Sequence, residues 1–303
     1  MRRSVVVLGA PTAIGLRPYD DGEVRRLDVA PGVLREHGLV TRLGANDLGD
    51  VMPPFRYADL VKPVGRGRNE EDVASYSQKL ADRVASAVSS GDFLVVLGGD
   101  CSILLGALLG LRRAGKDPVG LAYVDAHADF ATLAESPSGS ACSMNLALAV
   151  GRAASPLARL AENGPLVRGA DVAHIGRRDD SQPEYGYPAL AEFDVLDLSQ
   201  ADVDADGADA VVATALERVT EPEGGFWIHF DVDVLDPQLM PAVDTPLAGG
   251  FDLDTACKVL APLVAHPKAL GLQLTIYDPT TDHDSIGARH LVDLIERTFV
   301  GDG

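Results

Sequence analysis

Three short stretches of the chain carry carboxylates, an imidazole and a thiol directly behind apolar runs. They are Gly98-Gly99-Asp100-Cys101-Ser102, Asp125-Ala126-His127-Ala128-Asp129 and Asp231-Val232-Asp233-Val234-Leu235-Asp236-Pro237. In extended backbone alternate residues face the same side, so Asp125, His127 and Asp129 would point together, and Asp231 and Asp233 would repeat the arrangement. Carboxylates gathered in one small volume repel one another when ionised. One or two dications relieve that repulsion. An oxygen-rich, nitrogen-poor donor set suits Mn2+, and two metals sharing a water would generate hydroxide at neutral pH. A lone Asp-x-Asp after a strand is often a turn or a helix cap. Two such clusters beside a Gly-Gly-Asp turn, together with the cost of burying unpaired charge, favour metal binding. The Gly-Gly-Asp turn reads as the device that carries Cys101 into the site, with Asp100 as a structural carboxylate. Asp236-Pro237 reads as a turn held by Asp236.

These stretches need rigid elements behind them. Apolar runs at residues 5–8, 93–97, 119–124, 172–175, 226–230 and 270–276 read as strands. The first three lack polar alternation, as expected of strands buried on both faces of a parallel sheet. Helical spacing occupies 72–90, 102–114, 145–150, 210–219, 253–264 and 286–299. The alternation is the βαβ grammar of a doubly wound fold, and it puts the chemistry at the C-terminal edge of the sheet, where open sheets carry their sites. Residues 201–209 imitate a calcium loop through Asp202, Asp204, Asp206 and Gly207, but Ala213 stands where the closing Glu belongs. A solvated acidic loop is the expectation there.

Composition narrows the function. The chain has 303 residues, 46% of them apolar, enough for a sizeable core. With 26 Lys and Arg against 45 Asp and Glu, the formal charge is −19. That argues against nucleic acid, which draws affinity from cationic phosphate contacts, and against anionic membrane surfaces. It does not exclude an anionic substrate, because a metal reverses the local potential. No run approaches the roughly 18 apolar residues of a transmembrane helix, and the N-terminal run is too short for a signal peptide. Cys101, Cys142 and Cys257 are too few for a disulfide framework. The expectation is one continuous domain, 1–303, in the cytoplasm, where thiols stay reduced.

At these residues the sequence resembles the ureohydrolase family of arginase, agmatinase, guanidinobutyrase and formimidoylglutamase. The three stretches above carry the match, with His229-Phe230 preceding the third. Weaker echoes at Val7-Leu8-Gly9-Ala10-Pro11, His174-Ile175-Gly176-Arg177-Arg178-Asp179, Thr245-Pro246-Leu247-Ala248-Gly249-Gly250 and Tyr277-Asp278-Pro279 extend it over nearly the whole chain. The resemblance implies a three-layer α/β/α fold around a parallel sheet of about eight strands, assembled as a homo-oligomer, a trimer or hexamer. It implies two Mn2+ ions bridged by hydroxide, which attacks the central carbon of a guanidinium or similar amidine and releases an amine with urea or an analogue. By the same resemblance Asp125 and Asp231 bridge the ions, His127 and Asp233 complete one shell, and Asp129 and Cys101 complete the other. Asp129, Cys142 and Asp231 are the residues expected to take part in catalysis.

The departures from the family pattern bear on substrate. Cys101 stands where the family has a ligating His. A thiolate there makes Zn2+ plausible, a neutral thiol would leave a single-metal site, and a family branch hydrolysing N-hydroxylated arginine carries Cys at this place. Ala131 replaces an Asn that helps hold the amino acid's carboxylate. Cys142 replaces a His credited with proton shuttling, and is either an acid–base group or a small wall residue. Ser138 matches a substrate-binding Ser, and Glu184 remains as a substrate-facing group although Ser181 replaces a nearby Asp. Ile276 stands where a Glu pairs with the guanidinium; Asp278 takes that role only if the local backbone differs. Asp282, His283 and Asp284 are adequately explained as caps of the last helix. His174, Arg177 and Arg178 either meet an anionic substrate tail or form ion pairs. The expected function is therefore metal-dependent hydrolysis of a small linear amidine or guanidino compound other than ordinary arginine hydrolysis. The alternatives are a hydroxyguanidine hydrolase, a one-metal amide hydrolase and a catalytically degenerate member with a structural or regulatory role. A dinucleotide binder is disfavoured, because neither Gly98-Gly99-Asp100 nor Gly9-Ala10-Pro11 fits Gly-x-Gly-x-x-Gly.

Overall fold

A run such as Phe93-Leu94-Val95-Val96-Leu97 offers an apolar side chain to both faces of a strand, so it needs helices on both sides of its sheet. A computed structural model, which describes residues 3–54, 59–160 and 164–300, has that arrangement. Eight parallel strands run β1 (Val5–Ala10), β2 (Asn46–Asp50), β3 (Phe93–Gly98), β4 (Gly120–Val124), β5 (Val172–Ile175), β6 (Leu196–Leu198), β7 (Phe226–Asp231) and β8 (Ala269–Thr275). Their order across the sheet is β2-β1-β3-β8-β7-β4-β5-β6. The helices are α1 (Ala30–Glu36), α2 (Leu39–Leu43), α3 (Glu70–Ser89), α4 (Ile103–Arg113), α5 (Asn145–Ala149), α6 (Gln200–Asp206), α7 (Ala208–Val219), α8 (Leu253–Ala265) and α9 (Ile286–Val300).

Two cores flank the sheet, which gives the three layers. Val95, Ala122 and Ile228 join the core shared with α7, α8 and α9. Their strand neighbours Leu94, Val96, Leu121 and Trp227 join the core shared with α3, α4 and α5. The six expected strands and six expected helices appear with small boundary shifts. The edge strands β2 (NDLGD) and β6 (LDL) have no fully buried residue, and lack the apolar run that betrays a central strand. The expected acidic loop at 201–209 is corrected: residues 200–206 form α6, started by a capping box between Ser199 and Asp202. That Ser-x-x-Asp pairing satisfies the first free N–H groups, so the aspartates lie on a short helix.

Helices α3 and α4 cover one face in close contact, and the glycines of α4 permit the approach. A Cβ added at Gly110 would lie 2.7 Å from Val84 Cβ and 2.8 Å from the Ala81 carbonyl oxygen. Alanine is the better helix former by about 1 kcal/mol, so an exposed Gly→Ala change would stabilise. Here Gly110→Ala is expected to destabilise by about 1–3 kcal/mol, the usual cost of overpacking, measured by urea unfolding. Unchanged or increased stability would mean that α3 and α4 are not in that contact.

Candidate metal centre

The ends of β3, β8, β7 and β4 lie side by side, and each delivers part of the site. β4 leads into Asp125 and β7 ends at Asp231, and both strands finish with the same device. Asp125 Oδ1 accepts the N–H of His127 at 2.7 Å, and Asp231 Oδ1 accepts the N–H of Asp233 at 2.9 Å. These are Asx turns, so neither loop is the simple extended strand that the i, i+2 spacing suggested. They fold His127 and Asp233 back towards one another: His127 Nδ1 donates to Asp233 Oδ2 at 2.9 Å, and the Ala126 N–H donates to Asp233 Oδ1 at 3.3 Å.

β3 delivers Cys101 through a turn that only glycine fits. A Cβ at Gly99 would fall 1.8 Å from the Thr12 carbonyl oxygen. Asp100 accepts the N–H groups of Ser102 at 2.9 Å and Gly15 at 3.1 Å, the structural role expected of it. The Cys101 thiol donates to Asp231 Oδ2 at 2.8 Å.

Two ligand clusters result, and they share a residue. Cys101, Asp125, His229 and Asp231 form one; Asp125, His127 and Asp233 form the other; all are buried, and within each cluster the donor atoms lie within 4.8 Å of one another. Burial and the neighbouring Asp233 push the Asp125 carboxyl up to about 8. Burial and like charges also push Asp129 and Asp231 well above the usual carboxylate range. Burial raises Asp233 too, but the facing His127 outweighs it and holds that carboxyl low. His127 is driven down by burial and up by Asp233, ending at about 10. Asp125 Oδ2 and His127 Nε2 are buried without a hydrogen-bond partner. Burial and mutual repulsion thus push these carboxyls towards their protonated forms, a dication would neutralise several of them at once, and the donor set fits one.

The clusters open into a cavity of about 130 Å3 whose wall includes Arg17, Asp129, Ser138, Cys142, Asp244 and Ile276. Asp129 lies in this cavity in the left-handed backbone region (φ 48°), and belongs to neither ligand cluster; its Oδ2 accepts the Tyr123 hydroxyl at 2.8 Å. Cys142 donates weakly to Asp100 Oδ1 at 3.6 Å, and burial pushes its thiol up to about 12. Ile276 has φ 71°, a strained conformation for a β-branched residue, and it projects an apolar group from the end of β8.

Two expected substrate groups lie elsewhere. Asp278 is buried outside the cavity lining. Its carboxylate accepts the Tyr19 hydroxyl at 2.8 Å and the Thr280 hydroxyl at 2.6 Å, so its hydrogen-bonding capacity is spent on the loop. Glu184 is exposed, and its neighbour Tyr185 faces the cavity instead. Arg177 pairs with Asp179, Asp180 and Asp197, while Arg178 donates to the carbonyls of Asp233 and Val234 at 2.7 and 3.0 Å. Both brace the loops, and His174 is fully buried; none of the three lines the cavity. Asp282 accepts the Gly287 and Ala288 N–H groups, the capping role expected. Sequence reasoning missed Asp244 and His229. Asp244 sits in a loop with no periodicity, and His229 hides inside an apolar strand.

A cation entering this centre must displace the protons that Asp125 and His127 carry in its absence. Lowering the pH strengthens that competition, so metal affinity is expected to fall from pH 8 to pH 6, with net proton release on binding. Calorimetric titration with Mn2+ in buffers of different ionisation enthalpy reads both quantities. Affinity independent of pH, with no proton released, would contradict this electrostatic arrangement.

Comparison with known proteins agrees with this geometry. The family model described as the arginase family matches residues 4–301. The arginase of Bacillus subtilis is 30% identical over 291 residues, covering 94% of this chain and 96% of its own. That of Bacillus caldovelox is 33% identical over 242 residues, covering 77% and 79%. The solved structure of the Bacillus caldovelox arginase superposes with a TM-score of 0.86 at 27% identity, covering 99% of both chains. A proclavaminate amidino hydrolase from Streptomyces clavuligerus shares the fold, with a TM-score of 0.67 at 18% identity over 98% of this chain and 91% of that one. With Cys101 standing in a ligand cluster at the place of the usual histidine, the chain belongs to the arginase family.

Proposed function

We propose that this protein is a metal-dependent hydrolase of a linear amidine or guanidino compound, cleaving a C–N bond to release an amine and urea or an analogue. The observation that carries the reading is the pair of buried ligand clusters joined by Asp125. One or two divalent cations, Mn2+ or Zn2+, would supply a water acidic enough to act as a nucleophile at neutral pH. Asp125, His127 and Asp233 would hold one cation; Asp125, Asp231 and Cys101 the other, with Asp129 reaching it from the cavity wall. Asp129 Oδ2 is engaged by Tyr123, which leaves Oδ1 as the atom that would face the cation or hold a proton of its water. Cys142, a neutral thiol at physiological pH, serves as wall. Ser138 is a hydroxyl partner for the substrate.

Substrate choice follows from the wall. Ile276 offers no charge to the amidine head. Asp244 does, from an ion pair with Arg25 that leaves its side chain 15% exposed. Arg17, which lines the cavity and pairs with Asp20, offers its guanidinium to a carboxylate tail. We read residues 1–303 as one such domain, in a cytoplasmic homo-oligomer.

Protein loaded with Mn2+ or Zn2+ is expected to release urea, hydroxyurea, ammonia or formamide from one of arginine, hydroxyarginine, agmatine, guanidinobutyrate and formimidoylglutamate. Hydroxyurea would assign the hydroxyguanidine class, to which Cys101 in the ligand cluster gives particular weight. No turnover together with no tight metal would leave a structural or regulatory role. Cys101→His should shift metal preference from Zn2+ towards Mn2+, read by competition binding, because a hard ion loses a soft ligand. Asp244→Asn should raise KM for a cationic substrate by about 10- to 100-fold, the worth of one hydrogen bond to a charged group, with kcat less affected. An unchanged KM would remove Asp244 from substrate recognition.

A further inference from the structure

His229 is fully buried and contributes to the first ligand cluster by position. Whether its Nε2 can ligate depends on which ring nitrogen carries the proton, and the neighbours determine that. Trp227 and His229 share one face of β7, as residues two apart do. Across from them on β8 stand Gly271 and Gln273, in register. The indole lies over Gly271, where a Cβ would come 2.5 Å from Trp227 Cζ3. From there Trp227 Nε1–H donates to Gln273 Oε1 at 2.9 Å. An indole nitrogen is a donor only, so the amide of Gln273 has one orientation: oxygen to Trp227, NH2 to His229. The NH2 lies 2.8 Å from His229 Nδ1, and this nitrogen must accept. Neutral imidazole then carries its proton on Nε2, 3.5 Å from Asp125 Oδ2. Tyr123 stacks on the ring, with centroids 4.3 Å apart, and prevents it from turning over.

We propose that Trp227 and Gln273 hold His229 in the Nε2–H tautomer, making it a positioning residue whose N–H faces the shared carboxylate Asp125, 3.5 Å away and beyond a formed hydrogen bond, instead of a metal ligand. Reversing the amide would set two donors face to face at Trp227, and an imidazolium would do so at Gln273; neither conflict has water to relieve it, since all three side chains are fully buried. Asp125 Oδ1 is fixed by the His127 N–H at 2.7 Å, while Oδ2 has no hydrogen-bond partner and faces the Nε2–H of His229. A carboxylate has about four acceptor positions, so each oxygen keeps one for a cation. The consequence for metal binding rests on the function proposed above; the tautomer does not.

The test uses the full chain labelled with 15N-histidine and long-range 1H–15N correlation spectra, with His229 assigned by its loss in His229→Gln. Metal-free protein at neutral pH is expected to show His229 with a lone pair on Nδ1 and a proton on Nε2. Gln273→Glu replaces the amide donor by an acceptor and should invert this to Nδ1–H. Trp227→Phe removes the lock on the amide and should yield a mixture, which keeps the test open if the buried glutamate prevents folding. Protein loaded with 113Cd2+ should show metal–nitrogen coupling at His127 and none at His229, whereas Gln273→Glu should gain it at His229. Wild-type His229 protonated on Nδ1, or coupled to cadmium, would overturn the proposal, as would variants that leave the tautomer unchanged. Absence of cadmium coupling anywhere would count against the hydrolase reading while leaving the tautomer result standing.

Discussion

The structure depends on keeping several carboxylates buried within reach of one another at the end of a parallel sheet. Asp125, Asp231 and Asp233 are each at most 4% exposed, and the ionised form of a buried carboxylate is costly unless partnered. The chain meets this cost with fixed dipoles. Backbone N–H groups of His127, Asp233 and Ala126 point at carboxylate oxygens. Arg178 supports the 233–234 turn through its carbonyls, so its charge lies close without neutralising the ligands directly. What remains is a deficit of positive charge, and that deficit defines a cation site better than any single ligand does.

Topology brings the partners together. β8 is the last strand in sequence, yet it pairs between β3 and β7. Cys101 arrives from the β3 side, and Asp231 and Asp233 arrive from β7. The N–H of Ile276 donates to the Gly99 carbonyl at 2.7 Å, so the end of β8 pins the turn that delivers the thiol. The same strand supplies Gln273 to the buried face behind the site. The central strand thus controls the ligands from two directions: its end fixes a loop, and its side chain fixes a ring.

The site was legible in the sequence where chemistry sits next to a fully apolar run. Such runs mark central strands, and polar residues just beyond them mark the carboxyl edge; Asp125, His127, Asp231 and Asp233 were found that way. Legibility failed for groups whose role is set by neighbours distant in sequence. His229 looks like an interruption in a strand until Gln273 is placed opposite it. Asp278 looks available until Tyr19 is placed against it, 259 residues away along the chain. The edge strands escaped because their exposed faces need no apolar pattern. The acidic helix α6 escaped because its stability begins with a capping box, which is weak evidence beside a run of aspartates.

The same distinction explains how the wall of the cavity departs from the ligand platform. Ile276 removes charge from the end of β8, and Asp278 is drawn away by Tyr19. Arg25 lies over that tyrosine ring at 4.0 Å and forms the ion pair with Asp244. Asp278 therefore acts on the cavity at one remove: it fixes Tyr19, the ring supports Arg25, and Arg25 orients the carboxylate that faces the cavity. A negative group is retained at the wall but moved from a rigid strand end to a loop, and it is partly neutralised there. A fully cationic head group gains less from such a carboxylate than from a free one, because the charge of Arg25 offsets part of the attraction. The wall thus presents a partly neutralised carboxylate from a loop, beside a ligand platform whose own carboxylates stay buried at the strand ends.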